Sequence, residues 1–156
     1  MKSIAELTAQ HALTGRLDWI GLRPARRAPL EAVTNAEMTE NGLQGDRARA
    51  GKRAVTLIQA EHLPVIAALT GQDAPPELLR RNLVVAHLNL AALRGRHLRI
   101  GATAILRITS VCAPCSRMEE TFGRGGYNAV RGHGGWCAEV TQPGTISLGD
   151  EVCALP

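Results

Sequence analysis

Apolar positions fall in short runs along this chain, and Gly, Pro or Asn stops most of them before they reach helical length. "GRLDWIGLR" (15–23) reads as a first strand ended by Pro24, and "LEAVTNAEM" (30–38) as a second, followed by the turn-rich "ENGLQGD". "KRAVTLIQ" (52–59) is β-branched and apolar enough for a core strand. The pattern then changes period. In "AEHLPVIAALTG" (60–71), Leu63, Ile66 and Ala67 share one helical face, Pro64 sits in the first turn and Gly71 ends the helix. "APPELLRR" predicts a short helical turn entered through prolines. Strands resume at "NLVVAHL" (82–88), "HLRIG" (97–101), "ATAILRITSV" (102–111), "WCAEVT" (136–141) and "GTISLGDEVCAL" (144–155). Many short strands at this spacing predict a mostly β, α+β protein. A barrel or strongly curved sheet with at most two helices fits better than a βαβ stack.

At 156 residues the expectation is one domain, 1–156, with its core in about 15–155. The first residues carry Glu6 and His11 and do not read as a signal peptide. No run approaches the roughly 20 apolar residues of a membrane span, so a cytoplasmic location with reduced thiols is the expectation. Net charge is +4, and Lys2 and Lys52 are the only lysines beside sixteen arginines. Aromatics make up 3% of residues and "RPARR" is the one dense basic run, which argues against nucleic-acid binding. Neither lysine lies in a setting suited to a Schiff base, so pyridoxal phosphate is not expected.

The chemistry centres on "VCAPCSRMEE" (111–120), where Cys112 and Cys115 form a C-x-x-C. A structural zinc site needs a second tight ligand pair, and Cys137 and Cys153 stand alone in apparent strands. A thioredoxin-type couple wants a βαβ context, and the expected compartment disfavours a disulfide. Two readings remain: inert core cysteines, or one activated thiolate. Ser116-Arg117-Met118-Glu119 matches the capping-box pattern, which predicts a helix starting at Ser116. Cys115 would then face the positive helix end with Arg117 nearby, and both favour the thiolate. Three further clusters are weaker. The glycine-rich "FGRGGYNAVRGHGGW" (122–136) is either a surface loop or an anion-binding loop presenting Arg131, Gly132, His133, Gly134 and Gly135. In "GLQGDRARAGKRAVTL" (42–57), Asp46 caps a turn or contacts a ligand, and Arg47 is solvated or binds it. In "RRNLVV" (80–85), either Arg80 or Arg81 reaches an anion, or these two and Asn82 tie down a strand end.

In this order the segments "GLQGDR", "VTLIQAEHL", "RRNLVV", "LRGRHLRIGATAILRIT", "CAPCSRM", "RGHGGWCAEV" and "PGTISLGDEV" resemble the MOSC family, named after the C-terminal part of molybdenum-cofactor sulfurase. The similarity spans roughly 15–155 and is greatest to short bacterial members. It implies a β-barrel with a few peripheral helices, and it implies that Cys115 is the functional cysteine. That residue would be a molybdenum ligand in a cofactor-binding enzyme that reduces N-hydroxylated compounds, or the site of a persulfide in a sulfur carrier. A non-catalytic barrel is the third reading. The cofactor is a pyranopterin with a terminal phosphate. Arg81, Asn82, Arg131, Gly132, Gly134 and Gly135 are the expected cradle, with Arg47 beside it and Asp46 and His133 near the pterin or a transferred proton. The similarity does not extend to the extra subdomains of the amidoxime-reducing relatives or to the pyridoxal-dependent desulfurase domain. Electrons or sulfur for a small-molecule substrate would therefore come from an external electron donor or desulfurase.

Overall fold

The computed structural model describes residues 1–156. Its centre is a closed, mixed β-barrel of seven strands. In chain order these are β1 (Gly15–Leu22), β5 (Val55–Gln59), β6 (Leu83–Ala86), β7 (His97–Ile100), β8 (Ala104–Val111), β9 (Trp136–Gln142) and β11 (Glu151–Ala154). Neighbours run β11-β7-β8-β9-β5-β6-β1, and β1 closes the ring on β11 through Gly15 opposite Val152 and Arg16 opposite Glu151. Closure leaves no free edge among these seven strands. β2 (Glu31–Val33) pairs with the distal half of β1. A separate small sheet of β10 (Gly144–Ser147), β3 (Asn35–Thr39) and β4 (Gly42–Leu43) contributes Ile146, Ala36, Met38 and Leu43 to the barrel core.

β5 and β6 are the one parallel pair in the ring, and a parallel pair needs a crossover. Helices α2 (His62–Thr70) and α3 (Pro76–Leu79) supply it. This explains why β5 is buried at every position. Val55 and Leu57 face the barrel interior, whereas Ile58 faces an outer cluster with Ile66, Leu79, Met118, Phe122 and Val130. The last three come from α4 (Ser116–Phe122) and α5 (Gly126–Val130), which pack beside α2 over the same outer face. Gly71 ends α2 in the left-handed region at φ 70°, as its sequence position predicts. No helix is long and apolar enough to cross a membrane.

Five expectations need correction. Residues 30–38 are two strands in two sheets, broken at Thr34, and 144–155 splits likewise into β10 and β11. There are five short α-helices, not two, including α1 (Ile4–Thr8), along with a 3-10 turn at Leu90–Leu93. α5 lies inside the glycine-rich segment read as a loop. The capping box at Ser116 does not form: Cys115 is the N-cap, with no side-chain cap bond, and Ser116 is the first helical residue. Glu119 instead accepts from the Gly125 and Tyr127 N–H groups and ties α4 to the start of α5. The box that does form is Ser3 with Glu6.

Candidate functional site

Thr56 on β5 and Cys137 on β9 are register partners. Their neighbours Val55, Leu57 and Ala138 belong to the barrel core, so strand alternation turns Thr56 and Cys137 to the outer face. Segment 44–54 leads into β5 over this face, and 112–117 leaves β8 beside it. Between them lie the residues that carry the site.

Its frame is a buried polar network. The Asp46 side chain is 0% exposed and that of Arg23, the residue after β1, is 14% exposed. Asp46 Oδ1 accepts from Arg23 N (2.7 Å), Arg23 Nε (3.1 Å) and Asn82 Nδ2 (3.1 Å). Oδ2 accepts from Arg23 Nη2 and Ala48 N, each at 3.1 Å. Burial pushes the Asp46 carboxyl up, but the hydrogen bonds and charge of Arg23 overcome it and hold the group below its ordinary value. Asp46 is therefore an anionic anchor for Arg23. Asn82 is equally committed. Its Nδ2 also donates to Gly21 O, and its Oδ1 accepts from Thr56 N, Thr56 Oγ1 and Arg23 Nη2. With its amide saturated and fully buried, Asn82 positions the strand ends and is not free to hold a ligand.

The arginines before β6 behave differently. Arg81 is 9% exposed, donates Nε to Gly134 O (2.7 Å) and Nη1 to Leu79 O (2.9 Å), and leaves Nη2 buried without a partner. Arg80, in the left-handed region at φ 57°, donates Nη1 to Ala28 O and also leaves Nη2 unpartnered. Burial lowers the Arg80 pKa, and repulsion from Arg117, Arg23 and Arg47 lowers it further. Guanidinium groups with nitrogens lacking acceptors, set beside other like charges, have the chemistry to donate to an anion.

Cys115 is exposed and lines a cavity of about 330 Å³ with these arginines. Arg23, Arg26, Arg27, Arg47, Arg80, Arg81 and Arg117 all line it. Cys112 lies in an adjoining cavity of about 720 Å³ with Arg23, Arg47, Arg49 and Arg53. The thiol whose ionisation the structure favours is Cys112, which the sequence placed in a strand without such an environment. A hydrogen bond from Cys137 lowers its pKa, against burial, with help from Arg81, Arg23 and Arg53. The same pairing and burial raise Cys137. Cys153 is remote, on β11, and burial and Glu151 raise its pKa.

The glycine-rich segment builds the site without lining it. Gly134 O holds Arg81, and Gly135 O accepts from Cys112 N (2.9 Å). Gly135 has φ 95°, and a Cβ there would lie 2.0 Å from Leu57 O. Only glycine lets this segment approach β5 closely enough to fix Arg81 and Cys112. Gly132 is exposed with open space around it. Arg131 turns away to Asn128 Oδ1, and His133 packs edge-on against His62 at 5.5 Å. Neither lines the Cys115 cavity. Of the expected cradle, Arg81 and Arg47 reach the Cys115 cavity with Cys115 itself, while Asp46, Asn82, Gly134 and Gly135 support it. The sequence reading missed Arg23, Arg49 and Arg53. Their one signal was Asp46, a lone acid within an arginine-rich stretch.

No three His, Cys, Asp or Glu side chains gather into a metal site. Cys115 would be one ligand to a metal that arrives with others. A thiol beside unpartnered guanidiniums fits a cofactor that combines a thiophilic metal with a phosphate.

Comparison with known structures supports the fold. The YuaD protein of Bacillus subtilis superposes with a TM-score of 0.78 at 17% identity, covering 90% of this chain and 94% of that one. YiiM of Escherichia coli gives 0.71 at 21% identity, with 90% and 70% covered. YiiM of Geobacillus stearothermophilus gives 0.73 at 15% identity, with 91% and 75% covered. No curated protein sequence matches. The family model described as the MOSC domain matches residues 38–153, from the small sheet through β11, and includes every cysteine and Arg47, Arg80 and Arg81. The chain belongs to the MOSC domain family.

Proposed function

We propose that this protein binds the molybdenum cofactor in the Cys115 cavity, with the Cys115 thiolate as a ligand to the metal. The observation that carries the reading is an exposed thiol sharing a cavity with Arg81, a buried guanidinium that has an unpartnered nitrogen. When bound, the cofactor supplies a metal capable of two-electron redox chemistry. Arg80, Arg81 and Arg117, which line the cavity, would hold its phosphate. Arg23, locked by Asp46, keeps the cavity wall in place and cationic. Reduction of N-hydroxylated compounds is the activity this reading expects, with electrons from an external donor.

The exposure of Cys115 also favours a second reading, in which it carries sulfur as a persulfide delivered by a desulfurase, because a partner's sulfur can reach it directly. One experiment separates them. The protein is purified from a host that makes the cofactor, and its metal content and intact mass are measured for wild type, Cys115→Ser and Arg81→Gln. Stoichiometric molybdenum that disappears in Cys115→Ser and falls in Arg81→Gln supports the cofactor reading. A metal-free protein carrying one additional sulfur atom on Cys115 supports the carrier. Neither signal in wild type leaves the non-catalytic barrel.

A further inference from the structure

The larger cavity is the less explained one. Its volume of about 720 Å³ is roughly twice that of its neighbour and lies within the roughly 300–1,000 Å³ of small-molecule sites. Thr56, Cys137 and Cys112 line it beside Val111 and Ala113, so half of its surroundings are apolar or weakly polar. Arg49 and Arg53 are exposed on its rim, and no carboxylate lines it. The protein has three ion pairs, and among this cavity's four arginines only Arg23 belongs to one. Guanidiniums gathered around one hollow raise a positive potential there, and low-dielectric walls focus it. Cys112 registers that potential, since Arg81, Arg23 and Arg53 all favour its anion.

We infer that this second cavity binds a small molecule bearing an oxyanion, a phosphate monoester or a carboxylate on a compact planar or apolar body, through Arg49 and Arg53. Planar guanidinium forks match both oxyanions. The half-apolar floor suits the body. Arg23 and Arg47 line both cavities, so a molecule anchored at the rim lies directly beside the Cys115 cavity. It is thereby the substrate subsite for chemistry at Cys115. As a substrate subsite it rests on the proposed function, whereas the binding itself does not.

The test uses the full chain and calorimetry with phenyl phosphate, benzoate and, as an uncharged control, benzyl alcohol, at about 0.15 M salt, where charges more than about 8 Å apart are largely screened. Wild type binds at least one of the two anions and not the alcohol, and the preferred anion identifies phosphate or carboxylate. Arg49→Gln with Arg53→Gln weakens that binding by about tenfold or more, the loss expected for a charged hydrogen-bonding pair. Arg26→Gln with Arg27→Gln, which line the Cys115 cavity and not this one, leaves it within about twofold, as expected for charges outside the cavity that salt screens. No binding of either anion, equal binding of the alcohol, or a loss shared by or confined to the Arg26/Arg27 pair overturns the inference. Molybdenum content of the same wild-type preparation keeps the two claims apart. Metal without anion binding removes only the subsite. Anion binding without metal removes only the cofactor.

Discussion

Asp46→Asn preserves the shape of the side chain at the centre of the site and removes its charge. In the wild type both carboxylate oxygens only accept: three donors converge on Oδ1 and two on Oδ2. An amide has one accepting oxygen and one NH₂, so in either orientation donors face donors on one side. The Arg23 side chain, 14% exposed, simultaneously loses its counter-charge. Removing one partner of a buried ion pair costs about 3–5 kcal/mol, well above the roughly 0–1 kcal/mol of a surface pair. Urea unfolding followed by the fluorescence of Trp19 and Trp136 should therefore show a loss of about 3 kcal/mol or more near neutral pH. The pH dependence has a definite sign. The Asp46 pKa is lowered by folding, so its contribution is fully present above the unfolded value of about 3.9 and disappears as pH falls through the folded one. The stability gap between wild type and variant should stay constant from neutral pH to about 4 and close in stronger acid. A loss below about 1 kcal/mol, or a gap that persists throughout the acid range, would refute the assignment of Asp46 as a charged anchor.

Two nearby glycines should respond unequally to the same substitution. Gly135→Ala drives a Cβ into the Leu57 carbonyl and should cost at least about 3 kcal/mol by thermal or urea unfolding, whereas Gly132→Ala, at φ 82° in open space, should cost only the roughly 1–2 kcal/mol of a left-handed backbone. Comparable losses at the two positions would contradict the buttress role given to Gly135. In a Cys115→Ser background, iodoacetamide labelling of Cys112, quantified by peptide mapping, should turn on with pH well below the ordinary thiol value of about 8.5. The transition should move upward in Cys137→Ala, which removes the hydrogen bond that most favours the thiolate. A midpoint at the ordinary value with Cys137 intact would show that the pairing does not operate.

The barrel was legible because its signals are local. Alternating burial, as in β7 and β8, and Gly or Pro between runs mark each strand from its own residues. The break at Thr34 was not, because both halves of 30–38 have strand-like sequence and only their partners, β1 for one and β10 for the other, assign them to different sheets. The capping box failed for a similar reason: S-x-x-E fits at Ser116, but Glu119 finds better donors at Gly125 and Tyr127, in a helix the glycine-rich composition concealed. Cys115 could be singled out locally, and so could Arg81. The convergence of Arg23, Arg47, Arg80 and Arg117 on one cavity could not, since they are separated by up to 94 positions in sequence and meet only through barrel closure and the crossover between β5 and β6. A single sequence offers Arg47, Arg80 and Arg117 as separate candidates and gives no sign that they meet one another or Arg23.

The network around Asp46 and the exposed rim of the larger cavity impose different rules on change. Arg23, Asp46, Thr56 and Asn82 hold the ends of β1, β5 and β6 together, so altering one of them perturbs the barrel as well as the cavity. Arg49 and Arg53 belong to no ion pair and sit at the surface, where most substitutions shift stability by no more than about 0.5 kcal/mol. The protein can thus exchange the charge at its entrance while the thiol and its supports stay fixed. Ligand preference can drift, or be redesigned, over a chemical centre that the fold itself keeps from drifting.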